Sequence, residues 1–191
     1  ILDGLESAAR SGARLAVFPE CALSGYGFSS KEEGLEHAVR TDGPEVATVA
    51  DLAARTGCGC VFGLLERDGA KLFNACVLVG PGGLLGVYHK VHLPFLGIDM
   101  FADPGDRPFA VHDLGGLKVG MHICYDGAFP EVGRVLTLLG AELLVLPTNW
   151  PTHSECQAEH MIITRAVENV VNAMAVNRVG LERGFRFIGR S

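Results

Sequence analysis

The sequence lacks an excess of basic residues and any long hydrophobic run. Its 16 lysine and arginine residues are outnumbered by 22 aspartate and glutamate residues, for a net charge of −6. Proteins that bind nucleic acid usually present a basic face to the phosphates, so no nucleic-acid partner is predicted. No apolar run approaches the roughly 20 residues that a membrane-spanning helix requires, so no membrane segment is predicted.

Signatures of common metal and nucleotide sites are also missing. The seven histidines are scattered, no HExxH pair occurs, and no GxGxxG segment follows a predicted strand. Cys58 and Cys60 are separated by one residue, whereas thioredoxin-like sites have two. The six cysteines are too few for a small secreted disulfide scaffold. We therefore predict reduced thiols in a cytoplasmic protein, without a zinc or dinucleotide site.

What the sequence does contain is an alternation of short apolar runs and helical segments. The chain is 48% hydrophobic over 191 residues, which is enough for one substantial core. This pattern predicts an α/β or layered α+β domain, with two packed sheets and helices outside. A doubly wound sheet is the alternative. Strands are predicted for RLAVF, CVFGLLE, FNACVLV, LLGVYH, 117–123, 142–146, AMAVNRV and FRFIG, and helices near 44–56 and 154–172. A helix after residue 128 is predicted to place these residues on one apolar side: Phe129, Val132, Val135, Leu136 and Leu139.

Three chemically reactive side chains follow apolar strands. Glu20 comes after LAVFP, Lys90 after VYH and Cys124 after VGMHI, and loops just past strand ends are a favoured place for catalytic groups. At Cys124 the strand–turn–helix pattern exposes the sulfur and aims backbone N–H groups at a developing oxyanion, which predicts a nucleophile. The alternative interpretation is a buried structural thiol and two ordinary surface charges.

Four segments together resemble the nitrilase, or carbon–nitrogen hydrolase, superfamily. They are, in order, VFPECALSGY, YHKVHLP, HICYDGAFPE and RAVENVVNAMAVNRVG. The resemblance implies an α-β-β-α sandwich of two mixed sheets flanked by helices, no metal or organic cofactor, and a homodimer or higher homo-oligomer. It also implies a catalytic triad of Glu20, Lys90 and Cys124. Residues 1–191 are expected to be a single domain that is truncated at both ends, lacking the first strand and the C-terminal strands.

The chain departs from the family pattern at two places. Many amidase-like members have an arginine where this chain has Ala128, and many have a second glutamate in the loop after the lysine, where this chain has none. Asp99 or Asp103 is the candidate for that second carboxylate. Glu131 matches the last residue of the family's FPE motif. It is predicted to support the residues of the site without acting as an acid or base itself.

The resemblance also bears on the substrate. Tyr-Asp after the nucleophile is frequent in amidases and carbamoylases, so Tyr125 and Asp126 favour a small amide or N-carbamoyl substrate cleaved through a Cys124 thioester. Tyr125, Asn149 and Trp150 are predicted to line the substrate pocket. A nitrilase, an acyltransferase with the same triad and a catalytically silent scaffold remain as alternatives.

Overall fold

The first sheet carries the strands that precede Glu20 and Lys90. In this computed structural model, which describes residues 1–191, β1 (Leu15–Val17) runs parallel to β2 (Gly59–Asp68). The pairs formed by β2 with β3 (Lys71–Gly80) and by β3 with β4 (Gly83–His89) are antiparallel. The Asp-Gly turn between β2 and β3 has Gly69 at a φ of 59°, a conformation that glycine adopts readily. The strands lie in the order β1, β2, β3 and β4.

The second sheet carries the strand that precedes Cys124. Its four strands, in order, are β5 (Val111–Leu114), β6 (Leu117–Met121), β7 (Leu143–Thr148) and β8 (Asn172–Asn177). The pair β5–β6 is antiparallel, whereas β6, β7 and β8 are parallel. Parallel neighbours need crossover connections, and these contain α4 (Pro130–Leu138) and α5 (Ile162–Asn169). A separate antiparallel ribbon follows, formed by β9 (Val179–Glu182) and β10 (Phe185–Ile188).

The two sheets pack face to face between layers of helices. Helices α1 (Leu2–Arg10) and α3 (Pro44–Thr56) cover the outer face of the first sheet, and α4 covers the second. Between the sheets lies an apolar layer that includes Val61, Cys76, Leu78, Met121, Ile123 and Val145. Strands covered on both faces read as continuous apolar runs, as β2 and β3 do. The predicted sandwich is confirmed, and the doubly wound alternative is wrong.

The helices are short and differ in detail from the predictions. The longest, α3, has 13 residues, and no helix combines the length and apolarity required to cross a membrane. Helix α2 (Lys31–His37) was not predicted. On α4 only a narrow stripe with Val132 and Leu136 is buried, while Val135 and Leu139 are exposed. The helix predicted from residue 154 contains a π-helical turn, Gln157–Met161, before α5.

Candidate active site

Glu20 lies in the segment that leaves β1 and packs directly against β2. Gly63 N–H donates a hydrogen bond to the carbonyl of Pro19 at 3.1 Å. A Cβ at Gly63 would lie 2.3 Å from the Cys21 nitrogen and 2.6 Å from the Cα of Glu20. The close approach therefore requires a glycine. As a consequence, the Glu20 side chain is fully buried rather than solvated.

Lys90 follows β4, and its ammonium group lies between two carboxylates. Nζ donates hydrogen bonds to Oε1 of Glu20 at 2.7 Å and to Oδ2 of Asp99 at 2.6 Å. All three side chains are 0% exposed. Burial alone would lower the pKa of Lys90, but Asp99 and Glu20 raise it well above its usual value. Lys90 is therefore a fixed cation at neutral pH.

Asn74 and Tyr26 complete the hydrogen bonding around the two carboxylates. Asn74 Nδ2 donates to Oε1 of Glu20 at 2.7 Å and to Oδ1 of Asp99 at 2.8 Å. The Tyr26 hydroxyl donates to Oδ2 of Asp99 at 2.9 Å. Of the two candidates for the second carboxylate, the structure brings only Asp99 into the site. It does so because the chain after Lys90 turns in a short 3₁₀ segment, Gly97–Met100.

Cys124 begins a 3₁₀ turn, Cys124–Ala128, just beyond β6. Its φ is 45°, in the left-handed region that is unfavourable for residues with a Cβ, and such strain is concentrated at functional sites. Burial and the charge of Glu20 raise the pKa of the Cys124 thiol well above its usual value, while Lys90 and the backbone of Asn149 oppose this shift. The resting form is therefore a thiol that needs a base.

Glu20 has the properties of that base. Burial and the neighbouring charge of Asp99 raise its pKa above the usual value, although Lys90 opposes the shift. A carboxylate with a raised pKa accepts a proton more readily near neutral pH. Oε1 is occupied by Lys90 and Asn74, but the buried Oε2 has no hydrogen-bond partner. One oxygen of Glu20 thus remains free to accept a proton.

Asp126 holds the turn that presents Cys124. Its carboxylate accepts hydrogen bonds from the N–H of Ile123 at 3.0 Å, the N–H of His92 at 3.0 Å and the Tyr88 hydroxyl at 2.8 Å. His92 Nδ1 lies 2.8 Å from the same group. Burial would raise the pKa of Asp126, but these hydrogen bonds hold it below its usual value. Asp126 is therefore a buried anion whose hydrogen bonds hold the turn Cys124–Ala128 in place.

A cavity of about 180 Å³ opens beside Cys124. The three predicted pocket residues Tyr125, Asn149 and Trp150 all line it, and so does Ala128. Tyr125 is 40% exposed, whereas Asn149 and Trp150 are buried. The remaining wall is formed by Tyr26, Pro94, Leu96, Pro151, Ser154, Gln157 and Met161. The cavity has the mostly apolar wall that is usual for a small-molecule site.

Two predicted residues lie outside this arrangement. Asp103 pairs with Lys31 at 2.6 Å near the surface and accepts from the N–H of Leu72. Glu131 is exposed on the first turn of α4, so the expectation that it supports the site is corrected. Arg165 of α5 takes a supporting position instead, since its Nε donates to the carbonyl of Gly127 at 2.9 Å.

Asn74, Tyr26 and Tyr88 were not among the predicted site residues. Asn74 is the one side-chain amide in the apolar run FNACVLV, and a buried polar residue in such a strand needs a partner. That signal could have found Asn74. Tyr26 and Tyr88 give no such signal from burial, because tyrosine also occurs in ordinary cores, although Tyr26 ends the segment VFPECALSGY and Tyr88 begins YHKVHLP. No group of three or more histidine, cysteine, aspartate and glutamate side chains is arranged to hold a metal ion.

Comparison with known proteins identifies the family. A sequence model described as carbon-nitrogen hydrolase matches residues 1–191. A nitrilase of Pyrococcus abyssi is 42% identical over 188 residues, covering 98% of this chain and 70% of that protein. An (R)-stereoselective amidase of Pseudomonas sp. is 35% identical, covering 93% of this chain and 64% of that protein. The chain belongs to the carbon-nitrogen hydrolase family, and it spans about two thirds of the length of these relatives.

Solved structures agree with this assignment. The amidase from Nesterenkonia sp. AN1 in complex with acrylamide superimposes with a TM-score of 0.84 at 25% identity, covering 99% of this chain and 74% of that one. A carbon-nitrogen hydrolase from Helicobacter pylori G27 superimposes with a TM-score of 0.87 at 25% identity, covering 98% and 73%. The predicted fold and the predicted membership of the carbon–nitrogen hydrolases are confirmed.

Proposed function

We propose that this chain is the catalytic domain of a thiol-dependent amidase that cleaves a non-peptide C–N bond in a small amide or N-carbamoyl compound. The observation that carries the proposal is the buried Glu20–Lys90–Asp99 cluster, whose charges act on the Cys124 thiol at the end of an apolar cavity. Lysine and carboxylate side chains are rarely fully buried unless they are paired, and clusters of ionisable groups with shifted pKa values beside a cavity are concentrated at functional sites.

The geometry supports a two-stage reaction. Glu20 Oε2 accepts the proton of Cys124 as Sγ forms a bond to the substrate carbonyl carbon. Lys90 and the backbone N–H of Tyr125 stabilise the negative charge that develops on the carbonyl oxygen. Glu20 then donates its proton to the leaving nitrogen as the C–N bond breaks, which leaves a thioester on Cys124. Glu20 next accepts a proton from water as the water oxygen attacks the thioester carbon. The C–S bond then breaks, Glu20 returns the proton to the Cys124 sulfur, and the carboxylic acid is released.

Two alternative activities use the same groups. A nitrilase would add Cys124 to a nitrile carbon, and an acyltransferase would pass the acyl group to an amine instead of water. Side-by-side rates for an aliphatic amide, an N-carbamoyl amino acid and an aliphatic nitrile separate these activities. We expect the amide to be the fastest substrate, and a faster nitrile would replace the amidase assignment.

Cysteine chemistry provides the direct test. We expect Cys124→Ala to retain the fold and to lower turnover by at least about a thousandfold. Iodoacetamide should label Cys124 rapidly, and Glu20→Gln should slow that labelling because the base is lost. Cys156 is exposed and serves as an internal control whose labelling rate stays unchanged. An unreactive Cys124 in the wild-type protein would favour the silent scaffold and overturn the proposal.

We also propose that the chain forms a homodimer in the cytoplasm. The cytoplasmic location fits a reaction that depends on a reduced thiol. Helices α4 and α5 expose a surface of large apolar side chains, which is unusual for a protein that stays monomeric. That surface consists of Leu138, Leu139, Ile163, Val167 and Val170. We expect Val167→Glu to convert the dimer to a monomer in analytical ultracentrifugation, and a monomeric wild-type protein would exclude the dimer.

A further inference from the structure

The cavity beside Cys124 has no charged side chain in its wall. None of its lining residues is a lysine, arginine, histidine, aspartate or glutamate. Ala128 adds no charge to this wall, and the Arg165 guanidinium, which donates to the Ala128 carbonyl at 3.4 Å, is already paired with Glu168 at 2.7 Å. The buried charges near Cys124 include the carboxylates of Glu20, Asp99 and Asp126, whereas Lys90 is already paired with Glu20 and Asp99. A substrate carboxylate would therefore enter a site without a counter-ion and with an excess of negative charge, which is strongly unfavourable.

Two carboxamides in the wall have unused hydrogen-bonding atoms. Asn149 is 1% exposed, and neither its Nδ2 nor its Oδ1 has a partner. The buried Oε1 of Gln157 also has none. Buried polar atoms are nearly always paired, and leaving one unpaired is costly. Both side chains line the same cavity, so a bound molecule is the natural source of their partners.

The rest of the wall suits a short carbon chain. Pro94, Leu96, Trp150 and Met161 offer apolar surface around a cavity of about 180 Å³. Such a space admits a small acyl group of a few carbon atoms. It combines an apolar wall with two neutral hydrogen-bonding groups and lacks a cation.

Building on the proposed function, we infer that the substrate is an uncharged amide with a short acyl chain that bears a second neutral hydrogen-bonding group, such as a carboxamide or hydroxyl. The carboxamides of Asn149 and Gln157 recognise that group. Amides that carry a carboxylate, including N-carbamoyl amino acids, are disfavoured because their charge would be buried without a partner. Asn149, Gln157 and Ala128 are therefore the residues that determine specificity.

Three amides of matched length test the inference. Succinamide has a neutral second group, succinamate has a carboxylate in its place, and butyramide has a methyl group. We expect kcat/KM for succinamide to exceed that for succinamate by at least about tenfold, and to exceed that for butyramide, because a site built for hydrogen bonds rejects analogues that leave its groups unpaired.

Variants assign the preference to the named residues. Ala128→Arg should raise the ratio of succinamate to succinamide kcat/KM, whereas Ala128→Leu, which adds bulk without charge, should not. Gln157→Leu should lower the ratio of succinamide to butyramide kcat/KM. Cys156→Ser, one position away and outside the cavity wall, is the matched control and should leave that ratio unchanged.

The outcomes separate the inference from the proposed function. Hydrolysis of none of the three amides, together with an unreactive Cys124, overturns the proposed function. Turnover of succinamate as fast as or faster than succinamide leaves an amidase but overturns the uncharged substrate class. Preference for butyramide over succinamide overturns the role of the two carboxamides.

Discussion

The Tyr88 hydroxyl donates a hydrogen bond to Oδ2 of Asp126 at 2.8 Å. Tyr88 lies on β4, two residues before Lys90, and Asp126 lies two residues after Cys124. Tyr88 belongs to the first sheet, whereas Asp126 lies in the 3₁₀ turn that follows β6 of the second sheet, so this contact links the strand that precedes Lys90 to the turn that begins with Cys124. The relative position of Lys90 and Cys124 therefore depends on a buried contact outside the predicted triad.

Removal of this contact should loosen the cysteine turn. We expect Tyr88→Phe to lower the free energy of unfolding by about 1–3 kcal/mol, because Asp126 loses a buried hydrogen-bond donor, and to slow alkylation of Cys124. Urea unfolding and iodoacetamide labelling measure the two effects. A double-mutant cycle with Asp126→Ala should be non-additive, since both variants remove the same contact. Additive losses would show that the two residues act independently.

The second carboxylate should control the pH dependence of activity. Asp99 raises the pKa of Glu20, and Glu20 must be ionised to accept the thiol proton. Asp99→Asn should therefore move the acidic limb of the kcat/KM profile to lower pH. Asp103→Asn is the matched control, because Asp103 pairs with Lys31 away from the site, and it should leave the limb in place. A limb that stays unmoved in Asp99→Asn would exclude Glu20 as the titrating base.

Glycine at position 63 should be indispensable for placing Glu20. We expect Gly63→Ala to destabilise the fold by about 1–3 kcal/mol through overpacking and to lower kcat by at least about tenfold through displacement of Glu20. Gly82→Ala is the control, because no atom lies within 4 Å of the added Cβ and its φ is not positive. Unfolding curves and amide hydrolysis rates for both variants provide the measurement. Equal activity of the two variants would contradict the packing argument.

His122 should make the fold sensitive to acid. Burial lowers its pKa from 6.5 to about 4, and neither ring nitrogen has a hydrogen-bond partner. His122 binds a proton more readily in the unfolded chain than in the folded protein. The free energy of unfolding is therefore highest above pH 6.5 and decreases by up to about 3 kcal/mol as the pH falls to 4. His122→Leu should remove this contribution, so the difference in unfolding free energy between variant and wild type should change over that window. A constant difference would place His122 in a solvated site.

The site residues that could be predicted are polar residues that directly follow apolar strands. Glu20, Lys90 and Cys124 each follow an apolar strand, and that position is visible along the chain. Asp99 and Asp103 could not be distinguished, because they lie in a loop without hydrophobic periodicity and only the 3₁₀ turn decides which one faces Lys90. Glu131 was misplaced for a similar reason, since the orientation of α4 on the sheet determines which side chains are exposed.

The sequence by itself determined the layered fold and singled out Cys124, Lys90 and Glu20 as candidate site residues, because apolar periodicity and strand ends are local properties. Only the tertiary structure decided that Asn74 and Asp99 join the cluster, that Oε2 of Glu20 remains free, and that the cavity wall has no charge. Those features depend on contacts between residues far apart along the chain. The cluster arises from strand pairing within the first sheet and from the loops after its strands, which no local pattern encodes.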